Sequence, residues 1–147
     1  MIYCDSSFVV ALFVPDGWTA PARKLAEGFA QPIPLVPIGE VELFTRVHRA
    51  VPEDRITISE HAAVLRQIEE DIADGILVRK GLPPREHLEE ALRLSRRHAP
   101  NISVRSLDIL HVSAARVLKS KSFASFDRRQ RELAGAAGLR LLPATLA

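Results

Sequence analysis

The chain reads as an α/β protein with three layers, α/β/α, in which helices flank a short and mostly parallel sheet. Three observations predict this. Short apolar runs alternate with longer amphipathic stretches along all 147 residues. The stretches between the runs are long enough to hold helices, and such crossovers join parallel strands. No repeat, low-complexity tract or long linker interrupts the pattern, so residues 1–147 are expected to form one domain.

Each element has its own signal. MIYC opens as a strand, and SSFVVALFV follows as a helix with its serines as caps. TAPARKLAEGFA is amphipathic, with Thr19 as N-cap and Pro21 in the first turn, where its missing N–H costs little. PIPLVP is a strand bounded by prolines, and about Ile38 to Ala50 form the next helix. TISEHAAVLRQIEEDIADG is a helix with Ser59 as cap and Gly75 as stop. ILVRK is a weaker strand. PPREHLEEALRLSRRHA and SVRSLDILHVSAARVLKS are helices. SFASF, DRRQRELAGAAG and LRLLP close the chain as strand, helix and strand.

Composition narrows the function classes. Cys4 is the one cysteine, so no disulfide framework can form within the chain, and a reducing cytoplasm is the expected location. FVVALFV is too short for a membrane span and lacks the basic flank of a signal peptide. The net charge of +2 conceals a segregation. Residues 53–90 hold ten acids against five Arg or Lys, whereas residues 93–131 hold ten Arg or Lys against two acids, Asp108 and Asp127. Such a basic excess attracts a polyanion, although solvated helix faces carry similar runs.

Four carboxylates stand out. Asp5 ends the first strand and Asp127 follows SFASF, so both belong to the carboxyl rim of a parallel sheet, where ligands bind. Each is also suited to capping the helix that follows. Asp108 lies on or beside an apolar stripe with Val104 and Val112, and needs a cation such as Arg105 or His111 to be buried there. In PIPLVPIGEVELFTRV, Glu40 suits the helix N-terminus and Glu42 could pair with Arg46 one turn on. Spacing alone does not choose between these glutamates. A cluster of such acids repels itself unless hard divalent cations neutralise it, and carboxylate oxygens are the donors that Mg²⁺ and Mn²⁺ take. A carboxylate-held metal within a basic surround suits phosphodiester hydrolysis.

MIYCDSSFVVALFV, EVELFTRVHRA, LDILHVSAA and FASFDRRQRELAGAAGL resemble, in order and spacing, the four acidic motifs of PIN-domain proteins. The resemblance runs from Met1 to about Leu141 and is nearest to VapC-type toxins of toxin–antitoxin pairs. It implies a Mg²⁺- or Mn²⁺-dependent endoribonuclease acting on an RNA substrate, a small cognate antitoxin, a homodimer and no membrane association. Asp5, Asp108 and Asp127 match the first, third and fourth acids and the metal ligands. Glu42 in ELFTRV matches the second acid better than Glu40 does. Ser7 and Ser125 stand where the family places supporting polar groups, Ser7 at a position that is often Asn. Arg116 and His111 stay outside the catalytic set.

Two other families that open on a strand ending in Asp fit less well. Haloacid-dehalogenase-type phosphatases need a second Asp where this chain has Ser7, and receiver domains need an acidic pair where YCDSS has one acid. A PIN-fold protein that acts only by binding a partner is the competing class, since fold does not fix function.

Overall fold

The computed structural model describes residues 1–146. The elements run β1 (Ile2–Cys4), α1 (Ser6–Phe13), α2 (Thr19–Glu27), β2 (Ile33–Leu35), α3 (Pro37–Arg49) and α4 (Ile58–Ala73), followed by β3 (Leu77–Arg79), α5 (Pro84–His98), α6 (Ser106–Val117), β4 (Ser122–Ala124), α7 (Arg128–Ala136) and β5 (Arg140–Leu142). Every predicted strand and helix is present, and every pairing is parallel.

The ladder comes in two pieces. β1, β4 and β5 form one three-stranded sheet in the order β1-β4-β5, and β2 pairs with β3. β2 lies against β1 without a ladder between them. Proline explains the gap. The Ile33 N–H and the Leu35 carbonyl both point to the β3 side, to Ile76 and Lys80. Pro34 is the residue left to face β1, and it has no N–H to donate.

Alternation along the strands divides the core in two. Tyr3 and Phe123 face α5, α6 and α7, joining Leu94, Val112 and Leu133, with their rings stacked at 5.4 Å. Cys4 and Ala124 face α1 to α4, joining Phe8, Leu43, Val47 and Ile68. A sheet residue therefore decides which helical layer it holds by its parity in a three-residue strand.

α1 is capped by Asp5, one of the two capping readings the sequence offers, and not by its serines. The caps of α2 and α4 differ from expectation. α2 starts behind Trp18 with no side-chain cap, because the Thr19 hydroxyl instead accepts the Asp16 N–H and donates to the Val14 carbonyl. α4 starts at Thr57, one residue before the helix and two before Ser59. There the Thr57 hydroxyl accepts the Glu60 N–H and the Glu60 carboxylate accepts the Thr57 N–H, a reciprocal capping box. The stop at Gly75 is as expected, with φ at +73°. Among the described residues no helix is long and apolar enough to cross a membrane.

Candidate active site at the carboxyl rim of the sheet

β1 passes into α1 with Asp5 as the sole residue between them, held extended at φ −74° and ψ 175°. The backbone has no room for a loop, so the side chain turns into the junction. Oδ1 accepts the Phe8 N–H at 3.0 Å and the Ser7 hydroxyl at 2.6 Å, and Oδ2 accepts the Ser125 hydroxyl at 2.5 Å. The carboxyl is fully buried. Burial pushes its pKa up, opposed by the Ser125 and Ser7 hydroxyls, the charge of His111 and the Phe8 N–H. The nearby Arg131 guanidinium feels this charge but donates to the carbonyls of Ser125, Leu142, Pro143 and Ala144.

The second junction is stitched to the first. β4 lies beside β1, and the Asp5 N–H donates to the Ala124 carbonyl. The Ser125 hydroxyl, which donates to Asp5, accepts the Asp127 N–H at 3.0 Å. The Ser7 hydroxyl, which also donates to Asp5, accepts the Phe126 N–H at 3.0 Å. Asp127 itself caps α7, with Oδ1 accepting the Arg129 and Gln130 N–H groups. Asp5 and Asp127 thus share one hydroxyl network across two parallel strands.

Glu42 and Glu40 part company. Glu40 sits on the outside of α3 and takes the Arg79 guanidinium at 2.7 Å. Glu42 turns inward and is hydrogen-bonded to Nε2 of the fully buried His111, whose Nδ1 lies 2.7 Å from the Tyr3 hydroxyl. A carboxylate can only accept, so Nε2 carries a proton, and Nδ1 shares the second hydrogen bond with the Tyr3 hydroxyl. Burial first, then the charges of Asp5 and Glu42, raise Tyr3 well above its usual pKa, which keeps that hydroxyl protonated. For Glu42, partial burial pushes upward. The hydrogen bonds of His111 and Ser6 and the charges of His111 and Arg46 outweigh it, and the pKa falls below the usual range.

Asp108 is 2% exposed in the first turn of α6. Its Oδ2 accepts the Arg105 N–H at 2.8 Å, and the Arg105 guanidinium stands off at 3.8 Å. Neither His111 nor a neighbouring acid bonds to it directly. Among the described residues no three acidic, imidazole or thiol groups converge on one cation position. The hydrogen bonds account for this spread, since Asp5, Asp108 and Asp127 each accept a backbone N–H at the start of their own helix.

Arg116 does not face the rim. It is tied to Glu90 at 2.5 Å and to the Ala137 carbonyl at 2.7 Å. Sequence reasoning overlooked Tyr3, whose hydroxyl is hydrogen-bonded to His111. The signal for Tyr3 was a lone tyrosine inside an apolar strand, where a buried hydroxyl requires a partner. A groove of about 630 Å³ between α1, α2, α4 and the amino ends of β2 and β3 contains none of the four carboxylates.

The chain is similar to two solved structures of the same architecture. One is the sarcin-ricin loop cleaving toxin VapC20 of Mycobacterium tuberculosis, at 18% identity and a TM-score of 0.68, covering 95% of this chain and 96% of that one. The other is FitAcB from Neisseria gonorrhoeae, at 14% identity and a TM-score of 0.68, covering 98% of both chains. No curated protein matches the sequence. The PIN domain profile matches residues 2–136, which is nearly the whole length, and the chain belongs to the PIN-domain family.

Proposed function

We propose that this protein is a Mg²⁺- or Mn²⁺-dependent endoribonuclease, the VapC-type toxin of a toxin–antitoxin pair. The observation that carries the reading is Asp5, a fully buried carboxylate at a strand end whose two oxygens are both fixed by serine hydroxyls. Among the described residues it has no ion-pair partner. A buried anion of this kind calls for a cation. The donors around it are carboxylate and hydroxyl oxygens, the set that hard divalent ions take, so the residues present fit the metal in kind. Asp5, Asp108 and Asp127 would hold it. A bound divalent ion supplies charge neutralisation at the phosphate and a more acidic water.

The chain's own groups do the rest. Ser7 and Ser125 fix the rotamer of Asp5 and align Asp127 beside it. Tyr3 fixes the ring of His111, which presents Glu42 in its ionised form, ready to orient the attacking water or accept its proton. An RNA substrate, a cognate antitoxin covering the acidic rim, a homodimer and a cytoplasmic location complete the proposal. The toxin reading draws support from the sarcin-ricin loop cleaving activity of VapC20.

The test is cleavage of an RNA panel in Mg²⁺ or Mn²⁺, beside EDTA, Asp108→Asn, Glu42→Gln and Glu40→Gln. We expect cuts that disappear with EDTA and Asp108→Asn, and fall by about 100-fold or more with Glu42→Gln, as for loss of a general base. Glu40→Gln should keep nearly full activity. Equal background from the wild type and Asp108→Asn would move a purely partner-binding role ahead.

A further inference from the structure

The single tryptophan, Trp18, ends a ladder of aromatic rings that passes through the core at Phe8 and reaches the surface beside the acidic rim. Phe29 stacks on Phe8 at 5.8 Å, Phe8 on Phe126 at 5.5 Å, and Phe126 on Trp18 at 4.7 Å, with interplanar angles of 21°, 17° and 13°. From Phe8 outward exposure rises: Phe8 is fully buried, Phe126 is 7% exposed and Trp18 is 36% exposed, while Phe29 on the other side of Phe8 is partly buried. Phe126 belongs to the site by its backbone. It lies between Ser125 and Asp127, and its N–H donates to the same Ser7 hydroxyl that holds Asp5.

The turn that carries the indole is pinned by its backbone, while the ring itself is seated on Phe126. The Trp18 backbone N–H donates to Asp16 Oδ1 at 2.7 Å, and the Asp16 backbone N–H donates to Thr19 Oγ1 at 3.0 Å. Arg55 approaches Asp16 at 3.6 Å, and Arg128 and Arg129 lie exposed two and three residues beyond Phe126, so cations stand at the turn of Trp18 and just past Phe126 in the chain. A large exposed ring held this firmly loses little freedom when another ring packs on it. Aromatic faces near cations suit the flat bases and the phosphates of single-stranded nucleic acid.

We infer that Trp18 is a stacking platform for an unpaired nucleobase of the RNA substrate next to the cleavage site. The inference rests on the nuclease reading and adds a specificity element to it. A base on the indole extends the ladder by one ring, and its neighbouring phosphate is thereby carried toward Asp5 and Asp127. The platform favours single-stranded over paired RNA, because a stacked, paired base cannot offer its face.

The test uses the full chain and a single-stranded oligoribonucleotide of about eight nucleotides, within the usual site size of such grooves. Cleavage kinetics are measured for wild type, Trp18→Ala and Trp18→Phe, with the intact oligonucleotide and a series carrying one abasic position. Indole fluorescence is followed during titration of the wild type. We expect saturable quenching, a KM raised about tenfold in Trp18→Ala with kcat nearly kept, and near-normal KM in Trp18→Phe. One abasic position should penalise the wild type and leave Trp18→Ala indifferent. Wild-type cleavage with no fluorescence response, or with the same KM and abasic profile in Trp18→Ala, overturns the platform and leaves the nuclease standing. Wild type that neither binds nor cuts any RNA overturns both.

Discussion

Asp5 shows how one residue can serve function against stability. Its carboxyl accepts three hydrogen bonds, yet burial raises its pKa above that of the unfolded chain. Between the unfolded and folded values the native state binds more protons, so stability falls as pH rises through that interval. Asn in its place keeps an acceptor for the Phe8 N–H and removes the desolvated charge. Asp5→Asn is therefore expected to abolish cleavage while raising the Tm by about 2–4 °C, the shift that 1 kcal/mol gives a chain of this size. Mg²⁺ should raise the Tm of the wild type and leave that of Asp5→Asn unchanged. A lower Tm for Asp5→Asn in thermal denaturation would mean that the network with Ser7 and Ser125 outweighs the desolvation.

The elements are placed by their ends more than by their middles. α4 begins where Thr57 and Glu60 exchange hydrogen bonds, although Ser59 offers a hydroxyl two residues on. Ser59 is already helical, and its exposed side chain has no free N–H ahead of it to accept. Thr57→Ala should cost about 1 kcal/mol in chemical denaturation. Ser59→Ala should stay within about 0.5 kcal/mol of the wild type. The Thr57 N–H, followed by its hydroxyl, holds the Glu60 pKa below the usual range. Its contribution is present above the unfolded carboxylate pKa and is lost as pH falls through the lower folded value. Glu60→Gln removes the carboxylate charge, so the gap between wild type and Glu60→Gln should narrow toward acid pH. An unchanged gap would place the stabilisation outside that charge.

Across the whole molecule, the rim depends on how β4 and β5 leave the sheet. Arg131 was counted in the sequence among a run of basic residues open to a polyanion. The structure buries it to 6% exposure and has it gather four carbonyls, from Ser125 at one strand end and Leu142, Pro143 and Ala144 at the other. The planar guanidinium suits this task, and a lysine ammonium cannot divide itself between the two ends. Arg131→Lys should cost about 2 kcal/mol in a denaturant titration, as for hydrogen bonds from a charged donor. A loss below about 0.5 kcal/mol would make the staple dispensable. The basic segment as a whole is less free than its count suggests, since Arg93 and Arg116 both pair with Glu90.

The sequence alone was enough for the alternation of strands and helices, the parallel pairing, and the strand-end positions of Asp5 and Asp127. These depend on local periodicity and on the chain's direction, which neighbours in sequence determine. The motif resemblance singled out Glu42 over Glu40, and the fold sets those two glutamates on opposite sides of α3, one toward His111 and one toward Arg79. Caps differed from expectation at α2 and α4, and stayed open between Asp5 and the serines at α1, because several adjacent residues carried suitable oxygens and backbone geometry selected among them. Only the tertiary structure could join Tyr3 to His111 across 108 positions, or Ser125 to Asp5 across 120. Such bonds form where distant strands and helices pack with buried polar groups between them, and a buried hydroxyl or imidazole must take whichever partner the fold brings near.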